Sequence, residues 1–168
     1  IFPEGIMVGT IESYEKKENE SYFTIKVRLH ADLKKVNHVY VIKNNGTVIS
    51  GWPKQVPNWI YGPPAVGYIN NDNVIDIAVG DQVLSGSPSD QISAWDKNGN
   101  SLPGFPVTSL WAINNQITIG DIDNDNNMEL IIDDNTSTGG RGKYLAFNHD
   151  GTPLAGWDVN VDGTTMFS

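Results

Sequence analysis

One interval recurs along this chain and limits its fold more than any other feature. Turn glycines Gly46, Gly99 and Gly151 stand 53 and 52 residues apart. A second set, Gly51, Gly104 and Gly156, repeats both intervals, and Gly67 and Gly120 are again 53 apart. The segments around these glycines align. Val39-Tyr40-Val41-Ile42-Lys43-Asn44-Asn45-Gly46 runs on to Gly51-Trp52-Pro53. Ile92-Ser93-Ala94-Trp95-Asp96-Lys97-Asn98-Gly99 runs on to Gly104-Phe105-Pro106. Tyr144-Leu145-Ala146-Phe147-Asn148-His149-Asp150-Gly151 runs on to Gly156-Trp157-Asp158. Units therefore start near 39, 92 and 144. A repeat of this length is one supersecondary unit that buries its apolar faces against its neighbours.

The units read as strands. Asn-Gly and Asp-Gly supply the positive φ that a tight hairpin needs. Ile75-Asp76-Ile77-Ala78-Val79 and Met128-Glu129-Leu130-Ile131-Ile132 are short, β-prone runs, expected as inner strands covered on both faces. No stretch sustains a 3.6-residue period, so the chain is predicted to be all-β. A repeated four-stranded unit of this length predicts blades of a β-propeller.

Composition narrows the function. With 39% hydrophobic residues and five Trp, the chain can form a core. A formal net charge of -9 argues against nucleic acid and anionic membrane as partners, since both select a basic face. The absence of cysteine excludes disulfides, thiolate zinc sites and a cysteine nucleophile. No apolar run approaches the ~20 residues of a membrane-spanning helix, so no membrane insertion is expected in this segment. The first residue is Ile and no signal peptide is visible, which suggests a processed or excised piece.

The strongest chemical signal is Gly120-Asp121-Ile122-Asp123-Asn124-Asp125-Asn126-Asn127-Met128-Glu129. Asp121, Asp123 and Asp125 alternate and Glu129 follows. Such spacing in a tight loop gathers oxygens that repel one another unless a hard cation joins them, and calcium takes 6–8 oxygen ligands. The competing reading is a solvated Asx-rich turn, because Asp and Asn favour turns on their own.

The acidic loop and the Gly-Trp-Pro corner resemble the FG-GAP (VCBS) repeat of integrin α-type propellers, over residues 39–168. The resemblance implies a calcium loop with ligands from Asp121, Asp123, Asp125, the Asn127 carbonyl and Glu129. The family usually has glycine where Asn126 stands, and Asn is the next best residue for a left-handed backbone. The matching loop one unit earlier keeps Asn70, Asp72 and Asp76 but has Tyr68 in place of the first Asp. It is expected to bind calcium weakly, or to be a metal-free turn held by side-chain amides. Asp158-Val159-Asn160-Val161-Asp162-Gly163 follows its corner glycine too closely for a third such loop and is read as a connecting loop. About two and a half blades cannot close a propeller, which takes 4–8. A homo-oligomer, or membership in a larger propeller, is therefore expected.

Residues 1–43 stand apart from the blade-like residues 44–168. Phe2-Pro3-Glu4-Gly5-Ile6-Met7-Val8-Gly9-Thr10-Ile11, a charged turn and the alternating Tyr22-Phe23-Thr24-Ile25-Lys26-Val27-Arg28-Leu29 give a two-strand signal. With Ala31-Asp32-Leu33-Lys34-Lys35-Val36 and Val39-Tyr40-Val41-Ile42, this stretch resembles the C-terminal end of the rod-shape-determining MreC family. That resemblance implies a short antiparallel β segment and a periplasmic scaffold role in cell-shape maintenance. The strand at Val39 serves both resemblances, so the chain reads as a fusion, natural or engineered.

No catalytic constellation is visible. His30, His38 and His149 lack paired metal-ligand spacing, and Gly139-Gly140-Arg141-Gly142-Lys143 is read as a flexible basic loop without phosphate-loop context. Trp52, Phe105 and Trp157 follow the corner glycines and are expected to pack between units rather than stack on sugars. The chain is thus expected to be non-enzymatic: a calcium-binding extracellular or cell-envelope module for a protein or glycan ligand. The alternative is the MreC-like scaffold; a third reading is the non-catalytic part of a polysaccharide-active enzyme.

Overall fold

The structure is a computed structural model that describes residues 9–16, 24–29, 36–83, 88–111, 113–135 and 141–162. All regular elements among the described residues are strands, in several small antiparallel sheets with no closed barrel. They are β1 (Gly9–Glu15), β2 (Thr24–Leu29), β3 (His38–Val39), β4 (Lys54–Gln55), β5 (Ala65–Gly67), β6 (Asp76–Gly80), β7 (Asp90–Asp96), β8 (Val107–Leu110), β9 (Thr118–Gly120), β10 (Glu129–Asn135), β11 (Arg141–Phe147) and β12 (Pro153–Asp162).

Two sheets are four-stranded meanders, β5-β6-β7-β8 and β9-β10-β11-β12. Their registers agree across the repeat: Gly67 faces Asp76 in the first, and Gly120 faces Glu129 in the second. β1 pairs with β2, and β3 pairs with β4, as separate two-stranded sheets. The β3–β4 pair spans the boundary at residue 43, because Val39 lies opposite Lys54.

The inner strands are covered on both faces, as their unbroken apolar runs require. All five residues of β6 are buried; on β10 Leu130 and Ile132 are buried on one face, while Ile131 on the other is half-buried. One apolar cluster joins the two four-stranded sheets through Ala78, Ile92, Ala94, Ile113, Leu130 and Ile132. A second joins β3 to the outer side of the β5–β8 sheet through Val39, Trp52, Val56, Ile77, Val79 and Trp95. Trp52 and Phe105 are buried, the packing role expected of them, whereas Trp157 is only half-buried.

Each unit grips the next at its corner. Gly51 (φ 90°) and Gly104 (φ 81°) have left-handed backbones that favour glycine. A β-carbon on Gly51 would collide with the Asn98 carbonyl, and one on Gly104 with the Asp150 carbonyl. The Trp52 indole donates to the Lys97 carbonyl at 2.9 Å and sets its ring edge-on to Trp95, 5.8 Å away. The turns gripped in this way are built alike: Gly99 N donates to the Asp96 carbonyl at 2.9 Å and Gly151 N to the Asn148 carbonyl at 2.8 Å.

Two sequence expectations need correction. Asp158–Asp162 is not a connecting loop but the last part of β12, where Val159 lies opposite Tyr144 and Asn160 opposite Lys143. Arg141–Lys143 is likewise strand, not loop. The reason is shared: β11 and β12 pair with each other, and Lys143 adds a 2.8 Å ion pair to Asp158. Gly139, Gly140 and Gly163, and the Phe2–Ile6 and Lys17–Glu20 stretches, lie outside the described residues.

Candidate metal centre

The acidic loop connects β9 to β10, and its shape comes from its asparagines. Asn124 (φ 65°) and Asn126 (φ 70°) take left-handed backbones, which Asn tolerates better than most residues. The bend folds Asp121 back so that its Oδ2 accepts the Asn126 amide at 3.1 Å. Asp123 Oδ1 accepts the Asp125 amide at 3.1 Å. Glu129, the first residue of β10, is fully buried, and its Oε2 accepts the Ile122 amide at 2.8 Å.

These contacts use one oxygen of each group and leave another for a ligand. Asp121, Asp123 and Glu129 each place one oxygen so that all three lie within 4.8 Å of one another. Asp121 Oδ1 and Glu129 Oε1 are buried with no hydrogen-bond partner among the described residues. A buried carboxylate oxygen without a donor carries the full desolvation cost of a charged group. A hard cation that takes oxygen ligands removes that cost, so the donor set fits calcium chemistry.

Of the five predicted ligands, Asp121, Asp123 and Glu129 come together. Asp125 turns to Asn127 instead, accepting its amide at 2.7 Å and its side-chain Nδ2 at 3.1 Å. Those two bonds hold the Asp125 carboxyl below the usual carboxylate range.

The earlier loop has the same backbone with different chemistry. Asn71 (φ 56°) and Asn73 (φ 63°) stand one repeat before Asn124 and Asn126. Asp76 is fully buried, and its Oδ2 accepts the Ile69 amide at 2.9 Å, matching Glu129 on Ile122. Burial pushes its carboxyl up, and the neighbouring Asp72 and Asp96 charges add to that. Asn70 and Asp72 spend themselves on each other: Asn70 Nδ2 donates to Asp72 Oδ2 at 3.0 Å. Tyr68, in place of the first Asp, is 51% exposed. The Asn71 side-chain Nδ2 donates to the Asn126 carbonyl at 3.2 Å and ties the two loops together.

Four further buried acids were not picked out from sequence. Asp81 accepts the Asn58 amide at 3.2 Å and the Gln91 amide at 2.8 Å. One repeat later, Asp134 accepts the Trp111 amide at 3.1 Å. Asp90 accepts the Val83 amide at 2.7 Å, and Asp133 accepts the Asn114 and Asn115 amides. They brace the loops at the strand ends opposite the acidic loops. Burial pushes the carboxyls of Asp81 and Asp134 up, and that of Asp90 to about 6, aided by the nearby Asp81 and Asp134 charges. The 53-residue interval between Asp81 and Asp134 was the signal available for finding them.

No helix among the described residues is long and apolar enough to cross a membrane. Residues 1–43 match the family Rod shape-determining protein MreC, barrel core. No curated protein matches the chain, and no solved structure does.

Proposed function

We propose that this chain is a non-catalytic interaction module of the cell envelope, extracellular or periplasmic, whose repeat is stabilised by a bound calcium ion. The observation that carries the cation is the pair of buried, unpartnered oxygens on Asp121 and Glu129, converging with Asp123. Under this reading the four-stranded sheets are FG-GAP-like blades. Asp125 and the Asn127 carbonyl join the shell only after Asp125 releases Asn127. The Asn70–Asp72–Asp76 loop stays metal-free or binds far more weakly, since affinity follows ligand charge and number. A protein or glycan is the ligand, and self-association or further blades cover the open sheet faces.

Calorimetric titration of calcium into chelator-stripped protein tests this. One saturable site, abolished in Asp121→Asn, is the expected result. Absence of binding in the folded wild-type protein refutes the cation.

A second reading has its own support. The match of residues 1–43 favours a periplasmic scaffold in cell-shape maintenance, and for biological role it weighs more than the blade resemblance. Affinity capture from envelope extracts separates the two. Recovery of wall-elongation proteins independent of calcium supports the scaffold; calcium-dependent recovery of another protein or glycan supports the module.

A further inference from the structure

A groove of about 710 Å³ opens beside β3, lined by Val39, Val41, Val66, Tyr68, Ile75 and Ile77 among others. Val66 and Ile75 are 62% and 44% exposed, unusual for apolar residues beside a core. One repeat later the corresponding space is filled. There Ile119 Cδ1 lies 3.2 Å from where a β-carbon on Gly67 would sit, and Ile113 Cβ lies 3.0 Å from where one on Gly80 would sit. The groove is therefore the part of the outer β5–β8 face that β3 and the Trp52 corner leave uncovered.

The chain carries a segment of the right kind at the right place. Moved forward by one 53-residue repeat, β1 covers β5, β2 overlaps β6, β3 falls within β7 and β4 within β8. The first unit thus has four strands in sequence, but it is divided into two hairpins: β2 and β3 each use one edge for pairing among the described residues. The β1–β2 hairpin is amphipathic. Ile11 lies opposite Val27 and Tyr14 opposite Ile25, and the register shift between Ile11 and Ser13 keeps all four on one face. Those four are 58%, 41%, 71% and 52% exposed. Glu12 meets Lys26 at 3.2 Å and Arg28 at 2.8 Å.

We infer that the β1–β2 hairpin seats its apolar face in this groove, with β2 pairing along Val39–Ile42, and so completes a third four-stranded sheet in the order β1-β2-β3-β4. The facing of β2 is consistent, although β1 is offset on it: Tyr14 lies opposite Ile25, where the repeat register would put Glu12. β6 lies between two sheets and is buried at every position, whereas β2 alternates Ile25 and Val27 with Thr24, Lys26 and Arg28. A strand with one sheet neighbour and solvent beyond needs that alternation, and terminal repeats carry a polar outer face for this reason. In the repeat register Ile25 and Val27 fall beside Val41 and Val39, whose side chains already point toward the second apolar cluster. A β-carbon on Gly80 would collide with Ile113 Cγ2, so Val27 meets Ile60 with the hairpin set slightly farther out than β6. The inference rests on the repeat geometry and is independent of any bound cation.

Because the chain has no cysteine, cross-linking tests it directly. In the strict repeat register the β-carbons of residues 27 and 60 fall 3.0 Å apart, so a small outward shift brings them into disulfide range. The double variant Val27→Cys/Ile60→Cys should form an intramolecular disulfide under mild oxidation at least tenfold faster than Lys26→Cys/Ile60→Cys, with chelator as with calcium. Equal rates, or bonds only between chains, overturn the inference; the latter would make a second copy the occupant. Hydrogen exchange on the unmodified chain gives an independent reading. Amides of Ile25–Val27 and Val39–Ile42 should exchange at least tenfold slower than their intrinsic rates, and exchange at intrinsic rates overturns it.

Discussion

Asp76 and Glu129, one repeat apart, accept the backbone amides of Ile69 and Ile122 at 2.9 and 2.8 Å, each seven residues upstream. Both are fully buried. The anchor that opens each inner strand is thus conserved in geometry between the two units although its length differs by one methylene. What differs is the company: Glu129 meets Asp121 and Asp123, while Asp76 stands behind Tyr68, Asn70 and Asp72.

The cation site gives the first prediction. Glu129→Gln keeps the acceptor for the Ile122 amide but removes a charge from the ligand set. Calcium affinity should fall at least tenfold, while the chelator-treated melting temperature stays level or rises. At a free calcium concentration of a hundred Kd, the wild-type protein should gain about 2.7 kcal/mol over its chelated form. Calorimetry and thermal melts with and without chelator read both quantities.

The corner glycines give the second. Gly104→Ala must place a β-carbon against the Asp150 carbonyl and hold φ near 81°. Gly156 has the same backbone, φ 85°, but nothing among the described residues lies within 4 Å of its virtual β-carbon. Gly156→Ala should cost only the left-handed penalty, about 1–2 kcal/mol. Gly104→Ala should cost more than that, about 3 kcal/mol or above, because the carbonyl contact between units must open as well. Urea denaturation of the two variants ranks them.

A pH dependence follows from the buried acids. Asp90 is raised to about 6 in the folded chain, chiefly by burial. Its unfolded value is about 3.9, so the folded state holds the proton more tightly. The contribution to stability is full below pH ~4 and is lost as pH rises toward about 6. Asp76, Asp81 and Asp134 are displaced in the same direction. In chelator, the protein should be about 1–2 kcal/mol more stable at pH 5 than at pH 7. Asp90→Asn retains an oxygen for the Val83 amide and should flatten that slope. A denaturation series across pH 4–8 on both proteins checks the sign.

Trp52 supplies the fourth prediction. Its indole N–H reaches the Lys97 carbonyl and its ring meets Trp95 edge-on. Trp52→Phe keeps an aromatic contact but strands a carbonyl and leaves a partial void. A loss of about 1–3 kcal/mol is expected. Intrinsic fluorescence should report a changed Trp95 environment even where the fold persists.

Much of this was legible locally. The turn and corner glycines marked the units because a left-handed backbone favours glycine, and Gly46, Gly51, Gly99, Gly104, Gly151 and Gly156 all have positive φ. The apolar runs at 75–79 and 128–132 marked inner strands because they lack the alternation of a half-exposed sheet. Asn126 was readable as left-handed for the same steric reason. The end of β12 was not, since Asp158, Asn160 and Asp162 have turn propensity and only pairing with β11 makes them strand. The bonds of Asp125 to Asn127 were not readable either, since they depend on the folded loop.

The sequence by itself determined the strand class, the period, the turn positions and the acidic loop, because backbone sterics and side-chain patterning act within a few residues. Tertiary structure alone decided which carboxylates converge, which corner closes on which turn, and that the acids at 81, 90, 133 and 134 are buried braces. Those outcomes depend on side chains meeting amides and carbonyls beyond their own turn, up to nearly a repeat away at the corners, where packing and desolvation set the distance.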